Sequence, residues 1–136
     1  MNAYVDTSVL LRVVLGERGR LRAWPRIRHA ISSELIRVEA LRTLDRARLA
    51  RLLSDAEVAE RRAAVDELLA SFDLVVVDRR ILRRATEPLP VSLGTLDAIH
   101  LASAVAVRAR MPDLRVATHD DALATAARAV GFGLLA

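Results

Sequence analysis

The chain has no cysteine and no lysine. The first absence removes disulfides, thiolate metal sites and a thiol nucleophile, and it makes no case for an oxidising compartment. The second excludes every mechanism that needs a catalytic lysine. Aromatic residues are scarce, at 3% against a hydrophobic content of 53%, so the core must be built from Leu, Val, Ile and Ala. No apolar run approaches the length of a membrane span. Met1 to Asp6 lacks a basic segment followed by an apolar one, so no signal peptide is visible. These absences predict a soluble, cytoplasmic protein. At 136 residues the expectation is one domain, residues 1–136, with a real core and no room for a second.

All 21 basic residues are arginine, and the formal net charge is +4 with a sequence pI near 11.0. Codon bias alone can produce such a composition, but it has chemical consequences. Guanidinium forks bind phosphate bidentately, so the balance suits a polyanionic partner. Charge by itself does not separate RNA from an acidic protein.

Periodicity alternates strands with helices. Ala3–Asp6 reads as a short strand, followed by a helix over Thr7–Leu15 capped by Thr7 or Ser8. The stretch from Arg20 to His29 reads as helix interrupted at Trp24-Pro25, and Ala30-Ile31-Ser32 as a weak strand. A long helix is predicted from Glu34 to about Leu53, with Val38, Leu41, Leu44, Leu49 and Leu52 on its inward face. Ser54-Asp55 caps the next helix, whose inward residues are Val58, Val65, Leu68, Leu69 and Phe72; the two make a helical hairpin. Leu74–Val77 is a β-branched run predicted to be a buried strand. Further helices follow at Arg79–Thr86, from Thr95 (as cap) to about Arg110, and at Asp120–Val130, the last stopped by Gly131. Strands are expected at Leu114–Thr118 and Phe132–Leu135. Such alternation gives an α/β fold with a central parallel sheet flanked by helices on both faces. Sites in such sheets form outside the carboxyl ends of the strands.

Four acids fall where that fold would gather them. Asp6 ends the first strand, Glu39 lies in the long helix, Asp97 opens a nearly all-apolar helix, and Asp120 follows Leu114–Thr118. Carboxylates about 5 Å apart repel by roughly 3 kcal/mol at an effective dielectric near 20, so such a cluster calls for a cation between its members. Oxygen-only ligands suit Mg²⁺ or Mn²⁺. Each acid also has a plainer reading. Asp6 and Asp97 can serve as helix caps, and Glu39 can be a solvated residue pairing with Arg42 or Thr43. Asp121 reads as a surface or outer residue beside Asp120, and Asp78 as a cap or an ion-pair partner of Arg79-Arg80. Asp97, His100 and Ser103 are spaced by three and form one polar stripe on an apolar helix. His100 reads better as a hydrogen-bonded interior histidine than as a general base. His29 and His119 have no evident context, and Trp24 reads as packing.

With these residues in view, the sequence resembles the PIN-domain ribonucleases, and within them the VapC-type toxins of bacterial toxin–antitoxin pairs. The matching segments are Tyr4-Val5-Asp6-Thr7-Ser8, Ser33-Glu34-Leu35-Ile36-Arg37-Val38-Glu39, Leu96-Asp97-Ala98-Ile99-His100-Leu101-Ala102-Ser103-Ala104 and Thr118-His119-Asp120. The resemblance covers essentially the whole chain and maps the family's acidic site onto Asp6, Glu39, Asp97 and Asp120. It implies a PIN-like fold and a Mg²⁺- or Mn²⁺-dependent endoribonuclease that cleaves RNA by attack of an activated water. Asp6 and Asp97 would be the principal ligands, completed by Glu39 and Asp120. Thr7, Ser8 and Thr118 would give hydroxyl contacts, with His100 and Asp121 nearby. It also implies a homodimer and a cognate antitoxin, and no membrane association. A housekeeping PIN nuclease of RNA processing and a non-catalytic RNA- or protein-binding module share the pattern. Phosphoryl-transfer domains of receiver or haloacid-dehalogenase type do not fit, because they use a lysine.

Overall fold

The structure, a computed structural model, describes residues 1–136. In chain order its elements are β1 (Asn2–Val5), α1 (Thr7–Val14), a 3₁₀ turn (Trp24–Arg26), β2 (His29–Ser33), α2 (Leu35–Leu49), α3 (Asp55–Leu69) and β3 (Asp73–Val75). They continue with α4 (Arg79–Ala85), α5 (Thr95–Arg108), β4 (Arg115–Ala117), α6 (Asp121–Ala129) and β5 (Leu134–Leu135). The five strands form one parallel sheet in the order β3-β2-β1-β4-β5. Strand order therefore reverses between β1 and β4. That switch point is where an open parallel sheet leaves a crevice at its carboxyl edge.

β1 sits at the centre and is covered on both sides. Tyr4 joins Leu101, Ala104, Leu123 and Ala126 of α5 and α6, while Ala3 and Val5 point the other way to Val9 of α1 and to Leu21. This two-sided burial explains why its residues run apolar without alternation. A further cluster packs α1 against the hairpin through Leu10, Val14, Ile36, Leu44, Val58 and Val65. Truncating one of these, such as Leu44, costs about 2–5 kcal/mol through lost burial and the cavity left behind.

Several local expectations need correction. Residues 20–28 hold only the 3₁₀ turn and His29 already belongs to β2, because Pro25 supplies no amide hydrogen for a continuing helix. The run expected as a buried strand at Leu74–Val77 is the edge strand Asp73–Val75, with Val76 60% exposed. A β-branched run marks strand propensity, not position in the sheet. Along α2 the buried residues are Ile36, Ala40 and Leu44; Val38, Leu49 and Leu52 are 58%, 64% and 77% exposed. The small Ala40 sets the inward face there, so large apolar side chains alone gave the wrong phase. On α5 only the stretch from His100 to Ala104 is fully buried, and Leu96 faces solvent. The cap of α5 is Gly94, with Thr95 already inside the helix. α1 is capped by Asp6 itself.

Other signals are met as read. Ser54 and Glu57 form a capping box at the start of α3. α6 ends in a Schellman motif: Phe132 N–H bonds the carbonyl of Ala127 and Gly131 N–H that of Arg128, both at 2.9 Å, with Gly131 at φ +90°.

Candidate active site at the carboxyl edge of the sheet

Asp6 follows β1 directly and is only 4% exposed. Its Oδ2 accepts hydrogen bonds from Ser8 Oγ at 2.6 Å, Thr118 Oγ1 at 2.9 Å and the Ser8 amide at 3.3 Å. The two hydroxyls accept in turn: Ser8 Oγ from the His119 amide and Thr118 Oγ1 from the Asp120 amide, both at 2.9 Å. A hydroxyl can donate and accept at once, so this web ties the end of β1 to the loop after β4. Asp6 Oδ1 has no hydrogen bond, yet it is not among the sealed polar atoms, so it reaches the edge.

Asp120 caps α6 by accepting from the Leu123 amide through Oδ1 at 2.8 Å, which leaves Oδ2 unbonded. Glu39, two turns into α2, takes Thr7 Oγ1 at 3.0 Å and His100 Nε2 on the same oxygen, Oε1. Its plainer reading does not hold: Arg42 pairs with Asp45, and Thr43 bonds the backbone carbonyl of Glu39. His100 is fully buried and meets the Tyr4 hydroxyl at 2.8 Å through Nδ1.

Asp97 makes no hydrogen bond and lies in the first turn of α5, where the helix dipole favours an anion. Its pKa nevertheless lies above the ordinary carboxylate range. Burial is the first cause, followed by the negative charges of Asp120 and Asp6 and, more weakly, Glu39. Asp97 thus lies within electrostatic reach of the other three acids. None has an arginine within ion-pair distance; only Glu39 has a basic partner, His100. No three of them close on a single point at coordination distance. Asp6, Glu39 and Asp120 each have one oxygen engaged and one free. An oxygen-only set with free lone pairs and no counter-cation fits a hard divalent ion.

The other expected residues fall in several places. Thr7, Ser8 and Thr118 bond the acids, whereas Asp121 is an exposed residue in the first turn of α6. Asp78 caps α4, His29 pairs with Asp73 at the opposite edge of the sheet, and Trp24 packs on Phe72. His119 sits against the site with its pKa lowered, by burial and then by the charge of Arg12. Its Nε2 is buried without a partner. Tyr4 is the contributor that sequence reading missed; the available signal was the chain's one tyrosine placed two residues before Asp6.

Comparison with known proteins identifies the family. The PIN-domain family model aligns with residues 3–129. The chain belongs to the PIN-domain family. It is 38% identical to Ribonuclease VapC46 of Mycobacterium tuberculosis, over 98% of this chain and 95% of that protein. It is 28% identical to Ribonuclease VapC47 of the same species, over 95% and 92%. These place it among the VapC-type PIN proteins. A toxin–antitoxin complex from Klebsiella pneumoniae contains a chain of the same fold, with a TM-score of 0.61 at 17% identity, covering 99% of this chain and 97% of that one.

Proposed function

We propose that this PIN protein, acting as one domain over residues 1–136, is a Mg²⁺- or Mn²⁺-dependent endoribonuclease toxin held silent by a cognate antitoxin. One observation carries the reading. In a chain whose every basic residue save histidine is arginine, four acids share the sheet edge at its topological switch point with no arginine among them. Kinship to two VapC ribonucleases across almost the whole chain supports RNA as the substrate.

Asp6 Oδ1, Asp97, Asp120 Oδ2 and the free Oε2 of Glu39 are the oxygens that would hold the metal. Bound there, Mg²⁺ or Mn²⁺ would supply Lewis-acid polarisation of a phosphate and a lowered pKa for a bound water. The chain's own contribution is to hold the donors still. Ser8 and Thr118 fix Asp6, the α6 amides fix Asp120, and Thr7 with His100 fixes Glu39. Whichever of Glu39 and Asp120 reaches the metal only through water is the acceptor for the proton of the attacking water. With water as nucleophile, the RNA 2′-hydroxyl need take no part. Arginines of the hairpin and of the Arg79–Arg84 segment track the phosphate backbone.

The antitoxin reading rests on the hairpin, where exposed Val38, Leu49 and Leu52 leave apolar area for a partner segment. A second copy of the chain completes a homodimer, and exposed Leu74, Val76 and Leu82 offer apolar surface for it. No helix is long and apolar enough to cross a membrane, and the cytoplasm is where an RNA target is met. Expression of the protein alone should arrest growth, and co-expression with a small gene adjacent to it should restore growth. Mapping of new RNA 5′ ends against an Asp6→Ala control then identifies the cut. Harmless expression with Asp6 and Asp97 intact would replace this reading with a nuclease of RNA processing.

A further inference from the structure

Behind the four acids lies a polar chain that packing alone does not require. Tyr4 and His100 are both sealed in the core, at 1% and 0% exposure, and a Phe–Leu pair would fill comparable space without desolvating polar atoms. Their geometry is specific. The Tyr4 hydroxyl lies 2.8 Å from His100 Nδ1, the two rings stand edge to face at 76°, and His100 Nε2 meets Glu39 Oε1. The nearby hydroxyls donate elsewhere, Ser103 to the Ile99 carbonyl at 2.8 Å and Ser32 to the Val5 carbonyl at 2.7 Å. Glu39 as a carboxylate only accepts, so His100 Nε2 is the donor to Oε1, and a neutral imidazole then turns its Nδ1 lone pair to the Tyr4 hydroxyl.

We propose that Tyr4 is a positioning residue for the site: by donating to His100 Nδ1 it fixes the Nε2–H tautomer, and this hydrogen bond to Glu39 Oε1 aims the free Oε2 of Glu39 at the acidic edge. The chain of inference is short. An imidazole whose Nδ1 accepts must carry its proton on Nε2. That N–H and the Thr7 hydroxyl together occupy Oε1. A carboxylate with both donors on one oxygen cannot swap its oxygens by rotation without breaking two bonds. Glu39 is thus held with a defined lone-pair face outward, the way outer hydrogen bonds orient metal-binding groups generally. β1 then serves the site twice, through Asp6 directly after its end and through Tyr4 two residues earlier, the spacing that puts two side chains on one face of an extended chain. This rests on the reading of the edge as a metal site, but the hydrogen-bond relay can be tested without it.

Nitrogen NMR of His100 in the wild-type protein without metal should show a pyridine-type Nδ1 and a protonated Nε2. A proton on Nδ1 overturns the proposal outright, whatever the protein does to RNA. In Tyr4→Phe, which keeps the ring and the core, the two tautomers should mix. Mn²⁺ affinity and kcat should each fall about two- to tenfold, the scale of one neutral hydrogen bond, with KM for RNA unchanged. His100→Leu should lose roughly ten- to a hundredfold in Mn²⁺ affinity, and His100→Gln, whose amide can still donate to Glu39, should recover part of that loss. Equal Mn²⁺ affinity in wild type, Tyr4→Phe and His100→Leu would defeat the proposal. Should Asp97→Asn also leave Mn²⁺ binding intact, the metal-site reading falls with it; loss of binding in Asp97→Asn alone would confine the failure to the relay.

Discussion

On the α2–α3 hairpin, Asp45 accepts from Arg42 at 3.0 Å and from Arg48 at 2.8 and 3.2 Å, and Asp66 pairs with Arg37. At the carboxyl edge of the sheet, Asp6, Asp97 and Asp120 meet no arginine and face one another. The pKa directions follow. The Arg48 guanidinium holds the Asp45 carboxyl below the usual range, while burial and neighbouring carboxylates push Asp97 above it. Arginine is abundant enough to have paired every acid, so the lack of an arginine within ion-pair distance of three neighbouring, partly buried acids is a property of the fold at that place. An acid paired with arginine on a solvated helix contributes little beyond solubility and local order. An acid left unpaired, sheltered from solvent and beside other acids is a cost to the fold, and Asp6, Asp97 and Asp120 meet those conditions together.

The largest expected effect tests that contrast directly. Asp97→Asn should remain folded by circular dichroism and lose RNA cleavage by more than about a hundredfold, beyond what loss of an outer hydrogen-bond partner costs. Asp45→Asn should leave the cleavage rate within about twofold. Comparable rates in the two variants would erase the distinction.

Next in size is the response to metal. A ligand that binds only the native state stabilises it by about 2.7 kcal/mol at a hundred times its dissociation constant. Thermal melts of the wild type should rise accordingly with Mn²⁺ or Mg²⁺, and those of Asp6→Ala much less. Equal shifts would place the ions on the hairpin or elsewhere.

A smaller effect has opposite signs in the two regions. Asp97 has its folded pKa raised, so its ionisation destabilises the metal-free protein, and stability falls as pH rises from the ordinary carboxylate range through the raised value. Metal-free Asp97→Asn should therefore be more stable than wild type at neutral pH, by about 0.5–1 kcal/mol after solvent screening. Asp45 has its folded pKa lowered, so its contribution is present above the ordinary carboxylate range and is lost as pH falls through the lowered value. Its removal should be slightly destabilising at low salt and neutral at high salt. Denaturant melts across pH and ionic strength measure both.

Element order, parallel topology and the gathering of the four acids are legible because they depend on features that sequence displays: alternating periods, turn residues, and acids at strand ends. The phase of α2 was not legible, because Ala40 outranks Val38 only once α3 is in place beside it. The edge position of β3 was hidden for a related reason. Val75, Val76 and Val77 look like a central strand, yet only Val75 pairs with β2, and β3 lies at the rim. The oxygen-by-oxygen division of labour in Glu39 depends on Tyr4 and His100, whose meeting joins residues 96 positions apart. No local pattern encodes that.

The web around Asp6 also has a consequence in time. Asp6 is made well before its partner Thr118, which lies 112 positions later. At about 5–20 residues per second, roughly 6 to 22 seconds of synthesis separate the two. Through that interval β1 lacks β4 along one side, Asp6 Oδ2 lacks one of its two hydroxyl donors, and Asp97 and Asp120 have yet to emerge. A growing or prematurely ended chain therefore carries no assembled site while it is still bound to the ribosome. Only a chain read through to α6 can cut.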